Sequence, residues 1–339
     1  MKTVLAERDL RLVESRISGP SVVKIVRPPE WILFAFLIYA PSLTLFRPVP
    51  HGLSNHLASL NLPIILAYAG LIFLDLAKPR LNLEIIRDWL PLGMIILAYR
   101  EMGWFALPHH LTSLESQWFA WDRVVLDHGG RAVVESLGSV IPSALEISYA
   151  LVYVLPPVSL AILYVYGRRK VVERFLTVVL LSTILCYGQF PFWPTEPPRV
   201  VFAGLDLAPY NTVFRRFNLW MLGNYGIHTG VFPSAHVAGA LSTAFGMRLA
   251  MPESKRVYRS LFLIAALIAI ATVYGRYHYL ADATSGAGIA FAVTCFVRGC
   301  LSDQIASAVA TSPIKEPKRA ANDIVYRYCD FADTIEGQK

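Results

Sequence analysis

Residues 258–299 read YRSLFLIAALIAIATVYGRYHYLADATSGAGIAFAVTCFVRG. Two apolar windows, 258–275 and 279–299, flank a short polar break around Arg276 and His278. Each is near the length that a helix needs to cross about 30 Å of hydrocarbon. The pattern recurs at 31–47, 60–77, 88–107, 143–166, 173–191 and 233–250. Composition agrees: 55% of the 339 residues are hydrophobic, 16% are charged, and the mean hydropathy is +0.47. Soluble domains carry about 45–50% apolar and about 25% charged residues, so a soluble fold is excluded, and so is disorder of the bulk of the chain. The expected fold class is all-α, a polytopic membrane helical bundle of about eight transmembrane helices.

Walking through these windows puts 23 of the 31 basic residues on one side. Basic residues concentrate in cytoplasmic loops, so both the N- and C-termini are expected in the cytoplasm. The +7 charge then records topology, and no nucleic-acid partner is needed to explain it. Residues 1–30 read as an amphipathic cytoplasmic lead-in with no signal-peptide core, 31–301 as the membrane domain, and 302–339 as a polar cytoplasmic tail. Cys186, Cys295, Cys300 and Cys329 have neither disulfide-framework nor zinc-site spacing. Two long outer loops stand out. The first, 108–142, suggests an interfacial helix around Trp118, Trp121, Asp122 and Arg123; the second, 192–232, mixes aromatic residues with Arg199, Arg215 and Arg216.

Polar groups gather at the outer ends of the last four spans. They are Pro194-Thr195-Glu196-Pro197-Pro198-Arg199, then Phe232-Pro233-Ser234-Ala235-His236, then Tyr274 through Asp282. Ionisable groups at membrane depth are costly and mark function. His278 and Asp282, four apart, would share one helix face, where the carboxylate fixes the imidazole tautomer and strengthens its free nitrogen as a nucleophile. His236 is a second imidazole able to protonate a leaving group. Arg199 and Arg276 offer forks of donors for phosphate oxygens, Ser234 adds a hydroxyl, and Pro233 fits the first turn of the sixth span. Together these groups read as phosphoryl transfer through a phosphohistidine. The His-x-x-x-Asp spacing would also suit a metal, but no third ligand of good spacing accompanies it.

Pro-Ser-x-His followed some 40 residues later by His-x-x-x-Asp resembles the type 2 phosphatidic acid phosphatase superfamily. Pro-Thr-x-Pro-Pro-Arg resembles its inositol phosphorylceramide synthase-like branch, with many bacterial relatives. The resemblance covers roughly residues 90–300. It implies His278 as nucleophile, Asp282 as its partner and His236 as general acid, with Arg199, Ser234 and Arg276 on phosphate. It further implies a membrane lipid as substrate, catalysis with no metal and no cofactor, and a site on the periplasmic face of a bacterial inner membrane. Three places depart from the family pattern. Phe192 stands where a lysine is usual and Val200 where a proline is; Ala235 replaces a glycine; Ala271 and Thr272 replace Ser-Arg. Arg276 lies one turn beyond Thr272 and would project from the same face if the seventh helix ran that far. Arg215, Arg216 and Arg100 are candidate substitutes for the lysine. Glu146, Tyr149 and Tyr153 line one face of the fourth span and read first as packing between helices. The competing class is a lipid or anion transporter, which Arg100 and Glu101 inside the third span would suit; a binding site alone has no use for an oriented nucleophile.

Overall fold

The computed structural model describes residues 25–47, 49–106, 111–205, 208 and 210–311, with side chains described as far as residue 300. Most of the lead-in, and the tail from residue 312, lie outside the described residues. The chain divides into two compact units, Met1–Val297 and Arg298–Lys339, and every candidate site residue belongs to the first.

The described part is all-α. The helices that matter for the site are α1 (Pro28–Ser42), α2 (Leu53–Ala77), α3 (Glu84–Gly103), α4 (Thr112–Val125), α5 (Arg131–Glu135), α6 (Val140–Leu151), α7 (Leu155–Val165), α8 (Val172–Tyr187), the single turn α9 (Pro198–Val201), α10 (Val213–Tyr225), α11 (Ala235–Ala250), α12 (Lys255–Tyr274) and α13 (Leu280–Thr311). Helix α8 is buried along most of its length and occupies the centre, packing on α1, α3, α7 and α11. Helix α11 packs in turn on α12, and α12 on α6. On α2 the apolar residues instead point outward, Phe73 being 72% exposed, as lipid-facing residues do.

Among the described residues, four helices are long and apolar enough to cross a membrane: Leu53–Ala77, Arg169–Phe192, Lys255–Tyr274 and Leu280–Cys300. The pair α6 and α7, bent by 68° at Val152–Val154, makes a fifth if it is one broken span. The other three windows are also helical, but α1 has 15 residues, α11 has 16, and α3 carries Glu84, Arg87, Asp88, Arg100 and Glu101. Length and composition thus support four or five spans where the sequence pattern suggested eight. The buried charges of α3, Arg87, Asp88 and Glu101, are absorbed internally. Buried Arg87 bridges Glu30 of α1 at 2.7 Å and Asp75 of α2 at 2.8 Å, while Asp88 takes Arg27 at 2.6 Å. Glu101 accepts from Asn61 Nδ2 at 3.2 Å, and Arg100 reaches the Tyr225 carbonyl.

Candidate active site

Three loops meet at one end of the bundle, joined by main-chain hydrogen bonds. Arg199 N donates to Arg276 O at 3.2 Å, Gly230 N to Thr195 O at 3.0 Å, and Ser234 N to Asp282 O at 3.0 Å. Ser234 is the N-cap of α11: its backbone is extended and its Oγ accepts from Val237 N at 3.3 Å. That cap displaces Pro233 from the first turn, where the sequence suggested it, to the position before the cap.

The nucleophile loop is shaped by the end of α12. Helix α12 stops at Tyr274, with Gly275 as C-cap and Arg276 at φ 60°. Tyr277 N bonds to Thr272 O at 2.9 Å and Arg276 N to Val273 O at 3.1 Å, the two bonds of a Schellman turn. The seventh helix therefore does not carry Arg276 onward; it reverses there. His278 also precedes α13 rather than lying on it. The expected His–Asp contact survives because Asp282, in the first turn, reaches back: Oδ2 accepts from Tyr279 N at 2.8 Å and lies 3.3 Å from His278 Nδ1.

Donor and acceptor logic then fixes the protons. His278 Nδ1 lies 3.0 Å from Val231 O, and a carbonyl only accepts, so Nδ1 carries the hydrogen. The lone pair of the neutral ring is on Nε2, 3.1 Å from His236 Nδ1, which must donate to it. Burial, with Arg199 adding to it, pushes His278 down to about 3, so the ring is neutral at physiological pH. A buried, neutral imidazole with its lone pair aimed at a second imidazole is a nucleophile facing an acid–base partner.

A family model described as the PAP2 superfamily matches residues 126–296. The chain belongs to the PAP2 superfamily. No curated protein and no solved structure matches it. PAP2 membership implies a phosphatase-like enzyme, and the long apolar helices imply a multi-pass integral membrane protein.

In this PAP2 site the charge of Arg199 bears on both histidines. Arg199, on the turn α9, lies over the Tyr277 ring at 5.5 Å, and its positive charge lowers the affinity of His278 for a proton. Burial lowers the proton affinity of Arg199 itself. Arg276 is placed elsewhere. Its buried Nη1 bonds Asp122 Oδ2 of α4 at 2.9 Å, and its guanidinium lies over Phe119 at 5.3 Å. The other oxygen of Asp122 accepts from Leu280 N at 2.8 Å, so one carboxylate ties α4 to both sides of the His278 loop. Burial raises Asp122 to about 6 against the opposing pull of these two donors. Arg215 Nη1 bonds Glu146 at 3.0 Å and Gly275 O at 3.3 Å, whereas Arg216 caps the Asn211 carbonyl.

The face formed by Glu146, Tyr149 and Tyr153 does pack helices, and does more. Glu146 also accepts from Asn218 Nδ2 at 2.7 Å and from Tyr277 Oη at 2.6 Å, gathering α10 and the nucleophile loop onto α6. Tyr149 and Tyr153 bring their hydroxyls to His236 Nε2 at 3.4 and 3.3 Å. The spacing of the tyrosines was visible in sequence; their partner, more than 80 residues away, was not.

Proposed function

We propose that this PAP2 protein cleaves a lipid phosphate ester through a phosphohistidine on His278. The contact of His236 Nδ1 with His278 Nε2, on a ring whose other nitrogen is held by Val231 O and Asp282, carries the proposal. Bound phosphate, through its negative charge, favours the doubly protonated form of His236. Nε2 of His278 attacks phosphorus, the bond to the lipid oxygen breaks, and that oxygen takes the Nδ1 proton of the His236 imidazolium and leaves as an alcohol. Asp282 offsets the positive charge that develops on the phosphorylated ring. Water then gives a proton to the now neutral His236 Nδ1 and attacks phosphorus, and the N–P electron pair returns to His278. Arg199 and the Ser234 hydroxyl are assigned to the phosphate oxygens. Arg276, whose Nη1 is bound to Asp122, is assigned to hold the nucleophile loop.

The same steps with an acceptor hydroxyl in place of water would make a headgroup transferase, as in the inositol phosphorylceramide synthase-like branch. The topology that accompanies this reading has eight crossings, both termini cytoplasmic and the site on the extracytoplasmic face; the distribution of basic residues supports it. The test is acid-labile, base-stable label on purified protein given radiolabelled lipid phosphate. Wild type should trap phosphate and release it to water or to an added polyol, and His278→Ala should do neither. Turnover by His278→Ala at the wild-type rate would overturn the proposal.

A further inference from the structure

The mechanism uses only Nδ1 of His236; the structure shows what holds the other nitrogen. Tyr149 lies nearly parallel to the imidazole, at 20° and 5.1 Å between centroids, whereas Tyr153 meets it at 81° and 5.9 Å. An imidazole lone pair and its N–H both point outward in the ring plane. A stacked phenol carries its hydroxyl over the face of the ring, while a steeply crossing one brings it to the edge. Tyr153 is therefore the better partner of Nε2, and Tyr149, itself stacked on Tyr277 at 4.2 Å, is the platform beneath.

We infer that Tyr153 is a positioning residue that holds His236 Nε2 in both of its protonation states, donating to it in the resting ring and accepting from Nε2–H once bound phosphate has made the imidazolium, so that Nδ1 alone exchanges protons with the substrate. A phenol both donates and accepts, and so can follow His236 through the cycle. It accepts from Nε2–H in the imidazolium, and it still does so once Nδ1 has given its proton away. Without that partner the neutral ring left after alcohol departure can move its one proton to Nδ1, the tautomer with no base facing water. The chemical contrast with the other histidine is informative. The nucleophile His278 is backed by a carboxylate, which strengthens its basicity; the acid His236 is backed by neutral hydroxyls, which orient it without weakening Nδ1–H as an acid.

This inference rests on the phosphohistidine reading, and the experiment separates the two. Single-turnover release of the leaving group is followed for dioctanoyl phosphatidic acid, whose alcohol needs a proton, and for p-nitrophenyl phosphate, whose nitrophenolate does not. Tyr153→Phe should slow alcohol release about tenfold or more while nitrophenol release stays within about twofold of wild type. Tyr149→Phe, which keeps the stack, should slow alcohol release less. Equal slowing of both substrates by Tyr153→Phe would mean a merely structural role, and no slowing of either would mean no role; both results overturn the inference. If His278→Ala releases both products as fast as wild type, the phosphohistidine reading falls, and this inference falls with it.

Discussion

Arg276 occupies a left-handed position that glycine fills in most Schellman turns, at a conformational cost of about 1–2 kcal/mol for a side-chain-bearing residue. The side chain offsets this through Asp122, which separates two effects by substitution. Arg276→Gly should be less destabilising than Arg276→Ala by roughly 1 kcal/mol, since only the alanine retains the strained backbone. Thermal melts of the two variants check this; equal melts would show that the φ angle costs nothing. Asp122→Ala withdraws a buried carboxylate from a buried guanidinium and should cost about 3–5 kcal/mol. For His278 the pH sign is definite. Its folded pKa lies below the ordinary value near 6.5. Its contribution to stability is therefore complete above about pH 6.5 and is lost as pH falls toward about 3, because only the unfolded chain takes up the proton in that window. Wild type should accordingly lose more melting temperature between pH 7 and 5 than His278→Ala does. The two histidines and Asp282 could be singled out one by one, because His278 and Asp282 sit at a helical repeat and His236 follows a helix-start signal. The partners of Asp122 and Glu146 could not, since they lie more than 60 residues away and no local pattern announces them.

At the scale of elements, the closest approach in the site is between α13 and the start of α11. A Cβ on Gly286 would lie 2.3 Å from Ser234 O and 3.3 Å from Ala238 N, both main-chain atoms that cannot swing aside. Gly286→Ala should push α13 away from α11, part Asp282 O from Ser234 N, and lower turnover far more than the about 1–3 kcal/mol of overpacking lowers stability. Near-normal kcat in that variant would show that the spacing of the two helices is not critical. The helices themselves were readable from apolar windows, and their ends were not. Helix α12 would have carried Arg276 on the face of Thr272 had it run that far; it ends at Tyr274, where the turn geometry rather than any apolar periodicity reverses the chain. A helix was foreseen at α4 from its tryptophans, but not its inward face, where Trp118 stacks on Phe232 at 4.9 Å and Asp122 meets the loop.

For the whole molecule, the distribution of basic residues makes a sharper statement than helix length does. If both termini and the 168–174 turn share the cytoplasmic side, Lys170→Cys should react with an impermeant maleimide only after cells are permeabilised, and Arg216→Cys should react in intact cells. Reversed labelling would turn the site to the other face. The count of crossings was harder to read for a physical reason. Windows such as α3 mix apolar residues with charges that the fold neutralises internally, as Arg87 does with Glu30 and Asp75. Hydropathy alone sees those charges as exposed to lipid.

The three loops of the site are stitched by main-chain bonds: Arg199 to Arg276, Gly230 to Thr195, and Ser234 to Asp282. Every residue type except proline supplies the same N–H and C=O groups, so this frame is indifferent to most of the side chains that it carries. A lineage can therefore exchange the lysine for Phe192, or Ser-Arg for Ala271-Thr272, without dismantling the geometry around the histidines. Divergence of substrate then becomes a matter of redecorating a fixed chassis, with proline refused at all three donor positions and Gly230, at φ 110° against the Phe190 ring, held to glycine.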